Sequence, residues 1–258
     1  MSSLADQTID ADRVTFDRLA GVVRSLDGDQ LRQQSGAAEW TVAQVLSHLG
    51  SAAEIYLATL QAARAGNAHA GDNQAVWDRW NALSPEDQAA GFLESGAAVL
   101  AAFADMGPDE RAALRVPLSY LPEPAPLDLF AGLRLNELAL HAWDVDVAFD
   151  SAATLDPAVA SVLVELLRGP IGFMPGFTGK PPEQHQTLRV TAGEHVFGLD
   201  LGERVQLIEE PSAPAGELAM PVEAFPRLLA GRLRDAPAGL QVEGPVSFAD
   251  LQRIFPGY

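Results

Sequence analysis

The chain contains no cysteine. That excludes disulfides, thiolate-ligated metal sites and a cysteine nucleophile, and it leaves the redox compartment open. Lysine is nearly absent: of 17 basic residues only Lys180 is a lysine, against 35 acidic ones. A formal net charge of -18 argues against nucleic acid or an anionic membrane as the main partner, because binding phosphates needs a basic surface. Both halves share the deficit, with 22 acidic and 9 basic residues in 1–150 and 13 and 8 in 151–258. No apolar run approaches the roughly 18–20 residues of a membrane span. The opening stretch MSSLADQTIDADRV lacks the basic start and apolar centre of a secretory signal. These absences make a cytoplasmic protein the expectation.

What is present is enough apolar material for a real core, 48% of 258 residues, a length that fits one large domain or two ordinary ones. The first 150 residues read as helices. Val14, Phe16, Leu19, Val22 and Val23 recur at helical spacing over 10–26. Thr41 and Gln44 form a possible capping box opening a helix that runs to about Gly66. Ser84, Pro85 and the acids after them start a third helix, ending near Met106 and Gly107. The Pro-rich VPLSYLPEPAPL cannot be regular helix, and a fourth helix covers about Leu127 to Phe149. Four long helices predict an antiparallel bundle. After Asp150 the pattern changes. A helix capped by Asp156 and Pro157 precedes a Gly/Pro-rich loop, a hairpin turning at Ala192-Gly193-Glu194, a strand over 203–208, a helix around Pro226, a short strand in LQVEG and a closing helix capped by Ser247. The expected architecture is a four-helix bundle over 1–152 followed by an α+β domain over 153–258.

The stretch LRLNELALHAWDVDVAF, Leu133–Phe149, places Glu137, His141, Asp144 and Asp146 among apolar residues. Ionisable groups are costly to bury without compensation. Glu137 and His141 are four residues apart, about 40° around a helix and one turn up, so they share a face. That spacing is a natural two-ligand clamp, and three protein ligands plus an open position define a catalytic zinc site. Of the five histidines, His69 and His185 fall in polar loops and His195 on a strand, whereas His48 lies between Leu46 and Leu49 on an apolar helix. His48, Glu137 and His141 together would make a His₂Glu set. Imidazole and carboxylate suit zinc, nickel and iron alike. Taken singly, each residue also has an ordinary reading: two polar residues on one face, a hydrogen-bonded core histidine, and tryptophans at 40, 77, 80 and 143 used for packing.

Three stretches together are similar to one known family. EWTVAQVLSHL, then LRLNELALHAWDVDVAF about ninety residues later, and LLAGRLRDAPAGLQVEGPVSFADLQRIFPG near the end resemble the mycothiol-dependent maleylpyruvate isomerases, a branch of the DinB/YfiT-like metal-binding helical bundles. The resemblance implies a DinB-like bundle followed by an α+β domain, with His48, Glu137 and His141 as ligands of a divalent metal, zinc being the expected ion. It implies Asp144 as a partner orienting a ligand, Arg232 as the nearest candidate for an active arginine, and mycothiol as cosubstrate. With no cysteine in the chain, a thiol-dependent reaction must take its thiol from outside. The metal would favour the thiolate, which would attack a small electrophile in a maleylpyruvate-type isomerisation or an S-transfer. A non-enzymatic small-ligand module and a metal-dependent hydrolase using bound water are the alternatives. The electrophile and the oligomeric state are not legible.

Overall fold

A computed structural model describes residues 2–257, which form two compact units, one running up to Ala153 and the other starting at Thr154. The first holds α1 (Leu4–Val23), α2 (Gly28–Leu31), α3 (Val42–Arg64), α4 (Asn73–Asn81), α5 (Pro85–Ala104), α6 (Pro108–Ala113), a two-stranded ladder of β1 (Arg115–Val116) and β2 (Ala125–Pro126), and α7 (Leu127–Asp146). The second holds α8 (Pro157–Arg168), α9 (Pro175–Thr178), β3 (Gln186–Ala192), β4 (His195–Leu201), β5 (Val205–Ile208), β6 (Gly216–Met220), α10 (Ala224–Leu229), β7 (Gln241–Glu243) and α11 (Phe248–Ile254). No described helix is long and apolar enough to cross a membrane.

The helix starts follow local chemistry. Thr41 accepts from the Gln44 N–H while the Gln44 side chain accepts from the Thr41 N–H, satisfying two donors that a bare helix end would leave orphaned. Ser84 with Pro85 and Asp156 with Pro157 open α5 and α8 as their sequences predict. The first helix begins earlier than its apolar periodicity indicates. Ser3 and Asp6 form a capping box ahead of Leu4, and the polar first turn hides that start from a hydrophobic pattern.

In the first unit α3 runs antiparallel to α7, since His48 meets Glu137 and, two turns on, Tyr56 meets Phe130. Phe16 against Phe92 and Asp6 against Arg111 set α1 antiparallel to the α5–α6 segment. The other two neighbouring pairs run parallel, which departs from the all-antiparallel order expected from sequence: Gly50 lies on Phe92 and Arg64 reaches Asp105 between α3 and α5, while Asp12 and Arg18 of α1 pair with Arg134 and Asp146 of α7. The crossover through α4 makes this possible by carrying the chain back before α5 begins. Trp80 of α4 covers Gly50 and Gly91, where an added Cβ would stand 2.3 and 2.8 Å from its ring. In α7, 15 of 20 residues are buried, which makes it the central helix of this unit.

The second unit is built on a five-stranded sheet in the order β5-β4-β3-β6-β7. The β3–β4 hairpin pairs Ala192 with His195 around a turn in which Gly193 takes φ +60°, a conformation glycine adopts without a steric cost. β6, which the sequence reading passes over, pairs parallel with β3, Leu188 to Gly216 through Ala192 to Met220. Pro226 sits in the first turn of α10, where its missing N–H would have had no helical partner.

Candidate metal centre

His48 stands on α3, and Glu137 and His141 stand one turn apart on α7. The antiparallel contact between these helices brings them together. His48 Nε2 lies 3.1 Å from Glu137 Oε2, and His141 Nε2 lies 3.6 Å from the same oxygen. The ligand atoms of all three residues fall within 4.8 Å of one another. Nitrogen and oxygen ligands at zinc distances of about 2.0–2.1 Å on a tetrahedral ion are about 3.4 Å apart, so the two observed separations bracket what a shared ion requires. The donor set, two imidazoles and a carboxylate, fits a divalent metal. The ligand side chains are 33%, 41% and 12% exposed for His48, Glu137 and His141, so the group opens to solvent on one side.

The support behind the ligands is as specific. The His141 Nδ1–H donates to Asp144 Oδ2 at 2.8 Å, with Asp144 fully buried. Such a carboxylate partner holds one tautomer and leaves Nε2 as the lone-pair nitrogen facing Glu137. Asp144 is itself fastened from the chain entering α3: the Gly36 N–H donates to its carbonyl oxygen at 2.7 Å. A Cβ at Gly36 would stand 2.6 Å from Val147 Cγ1 and 2.9 Å from Asp144 Oδ1, so only glycine fits there without displacement. Trp40 covers both histidines, its ring centroid 5.1 Å from that of His48 and 5.8 Å from that of His141, nearly parallel to the latter at 26°.

Sequence reasoning treats Trp40 as a packing residue and Gly36 not at all. Trp40 lies in the stretch EWTVAQVLSHL that carries part of the resemblance, whereas Gly36 is marked only by lying a few residues before the helix that carries His48. Asp146 reads from sequence as an ordinary polar residue near a helix end. The structure pairs it with Arg18 at 2.7 Å, and burial pushes its carboxyl up against the opposing pull of that guanidinium. Arg232 lies in the second unit just beyond α10, after Gly231 at φ +67°, with Nη1 donating to the Ala230 carbonyl at 3.2 Å. The structure thus gathers His48, Glu137, His141 and Asp144 in one unit and carries Arg232 in the other.

A second group of chemical side chains lies in the second unit. Ser161 Oγ is 2.6 Å from His195 Nε2, and His195 Nδ1 is 2.9 Å from Glu165 Oε1. The atom order is that of an acyl-transfer triad. However, Ser161 sits inside α8, where the neighbouring N–H groups are spent on the helix and none is left to hold an oxyanion. The trio tethers the β3–β4 hairpin to α8.

A family model described as the mycothiol maleylpyruvate isomerase N-terminal domain matches residues 13–146. Uncharacterized proteins from two Mycobacterium tuberculosis strains are each 26% identical to the chain over 171 residues, spanning 64% of it and 80% of their own length. Among solved structures, the crystal structure of a mycothiol-dependent maleylpyruvate isomerase matches with a TM-score of 0.66 at 14% identity, covering 96% of this chain and 98% of that one. A histidine-to-alanine mutant of that enzyme matches equally. At this identity the likeness concerns the fold, a helical unit followed by a sheet-containing one.

Proposed function

The chain belongs to the mycothiol maleylpyruvate isomerase family, and from that membership we propose that it is a mycothiol-dependent isomerase whose site is the His48, Glu137, His141 group. The observation that carries this reading is the meeting of His48 with Glu137 at 3.1 Å and of His141 with the same oxygen at 3.6 Å, from helices about ninety residues apart in sequence. These three side chains would hold a divalent ion, zinc being the expected one. When bound, the metal supplies positive charge that favours the thiolate form of a cosubstrate thiol. The chain has no thiol of its own, so the nucleophile arrives as a cosubstrate, and the family membership makes it mycothiol. Its sulfur adds to the activated double bond of a maleyl compound, forming a C–S bond and an enolate. Rotation about the new single bond and elimination of the thiolate then return the trans alkene and the thiol. If the adduct is released instead, the same residues perform an S-transfer.

The protein's part in this is positional. Asp144 keeps the His141 ring in one orientation and tautomer. Trp40 covers one side of the two imidazoles, and Glu137 and His48 keep an exposed edge open to solvent. Arg232 is offered as a second contribution to activity, from the α+β unit. A cytoplasmic enzyme with a small-molecule substrate and no nucleic-acid partner fits the strongly acidic chain.

The test is metal analysis of purified protein, joined to cis–trans isomerisation of maleylpyruvate with and without mycothiol. About one metal per chain and thiol-dependent turnover are expected, with both lost in His141→Ala. Metal-free protein after metal supplementation, or turnover independent of thiol, would sink the proposal; the latter result would point to hydrolytic chemistry by bound water.

A further inference from the structure

The interior of the first unit is divided. One apolar cluster gathers Phe16, Leu19, Leu46, Leu49 and Leu138, and another gathers Ile9, Leu60, Phe103 and Phe130. Between them, Asp12 of α1 lies between Ile9 and Phe16, and Arg134 of α7 lies between Phe130 and Leu138. These two charged residues are 0% and 4% exposed. Arg134 Nε donates to Asp12 Oδ2 at 2.8 Å. Asp12 Oδ1 has no hydrogen-bond partner among the described residues, and Arg134 Nη1 and Nη2 make no hydrogen bond there either.

A buried pair is an expensive way to join two helices. Packed apolar residues of similar volume commonly do as well or better. Neither Nη of Arg134 is among the fully buried unpartnered atoms, so these two donors keep a path to solvent while Nε is spent on Asp12. Arg134 thus holds a forked set of donors in reserve, the geometry that recognises carboxylates in two parallel bonds.

Its position gives those donors a target. Arg134 precedes Glu137 by three residues and His141 by seven, about 4.5 and 10.5 Å along the helix axis at 1.5 Å per residue. It is the one Arg or Lys of α7. Tyr56 of α3 borders the same layer, its ring 4.8 Å from that of Phe130, one turn before Arg134. Its phenol is pushed up chiefly by burial and also feels Glu137, Arg134 and Asp12, so it stays a neutral hydroxyl donor at any working pH. In a chain of net charge -18, an anionic substrate needs a local cation, and here one is already fixed in place by Asp12.

We propose that Arg134, anchored by Asp12 and flanked by Tyr56, is the group that binds a substrate carboxylate beneath the His48, Glu137, His141 site. This rests on the preceding reading that thiol addition occurs at that site. The substrate carboxylate sits on the guanidinium and the Tyr56 hydroxyl, and the double bond reaches up toward the metal ligands.

The experiment uses maleate as the probe, with dimethyl maleate as its uncharged counterpart. Calorimetric binding is compared for wild type, Asp12→Asn/Arg134→Gln, Arg134→Lys and Tyr56→Phe, with metal content and circular dichroism as controls. The double variant removes the cation without stranding a buried charge. Maleate binding is expected to weaken about 10- to 100-fold in it, the loss of one charge-assisted pair, and several-fold in Arg134→Lys and Tyr56→Phe. In turnover with mycothiol, the ratio of kcat/KM for maleylpyruvate over a carboxylate-free electrophile, chlorodinitrobenzene, is expected to fall by the same factor. Equal maleate affinity in wild type and the double variant, or wild-type preference for the diester, overturns the proposal. If the double variant does not fold, unchanged maleate affinity in both Arg134→Lys and Tyr56→Phe overturns it. If wild type processes neither electrophile, the thiol reading fails while the binding arm still decides the role of Arg134.

Discussion

Each unit buries an arginine against a carboxylate, and the two pairs are built differently. In the second unit Glu223 and Arg227 are four residues apart at the start of α10. Arg227 Nε donates to Glu223 Oε2 at 2.8 Å and its Nη2 to Oε1 at 2.9 Å. The pair is local and bidentate. In the first unit Asp12 and Arg134 are 122 residues apart, joined by one bond, with one carboxylate oxygen unpartnered. The local pair is formed by a single turn of helix. The distant pair exists only once α1 and α7 have packed, and its leftover hydrogen-bonding capacity is directed to something other than the fold.

Breaking the distant pair on one side tests that contrast most severely. Arg134→Met alone strands a fully buried Asp12, and unfolding of the first unit is expected to become easier by about 3–5 kcal/mol, read by hydrogen exchange in α1 and α7. A loss below about 1 kcal/mol would mean that Asp12 is protonated or solvated and the pair is no anchor. Such protonation is favoured by burial, which pushes the Asp12 carboxyl up while Arg134 pulls it down. Arg227→Met is expected to cost less, about 1–3 kcal/mol, because Glu223 lies on the edge of its helix, and exchange in the β3–β4 hairpin reads it. Equal costs would erase the distinction.

Support of the ligands gives the next effects. Asp144→Asn weakens the hold on the His141 tautomer, and metal affinity is expected to fall about 10- to 100-fold, measured by competition with a chelator. Gly36→Ala forces Val147 or Asp144 to shift, at about 1–3 kcal/mol, with a smaller fall in metal affinity in the same assay. The smallest effect concerns a helix cap in the second unit. Asp250 accepts from the Ser247 side chain and backbone, and those hydrogen bonds, with Arg253, hold its carboxyl down at about 2. Because its native value is lowered, its stabilising contribution is present above the usual carboxylate range and is lost as pH falls through about 2. Carbon-detected NMR titration should show that midpoint in wild type and a return toward the ordinary range in Ser247→Ala.

The ends of α3, α5, α8 and α11 are legible because their caps act within three or four residues. The hairpin is legible because alternation and a glycine turn are local. So is the shared face of Glu137 and His141, a consequence of helical periodicity alone. β6 is not, since Gly216–Met220 starts on a glycine and sets Ala219 between Leu218 and Met220, so its alternating burial shows only once it pairs with β3. Trp40 over the imidazoles, Gly36 against Asp144, and Asp12 with Arg134 are likewise invisible. A charged residue at a core-facing position of α1, between Ile9 and Phe16, was the one signal available for the last, and it names no partner.

By itself, then, the chain determines where its helices begin, which of their faces carry charge, and that any thiol must come from outside, because each follows from residue identity and short-range geometry. Only the tertiary structure decided that α3 meets α7 head to tail, so that His48 reaches Glu137, and that α1 lies along α7, so that Arg134 is held with donors to spare. Those facts depend on how four helices pack, and packing is set by the sum of many distant contacts that no single segment contains.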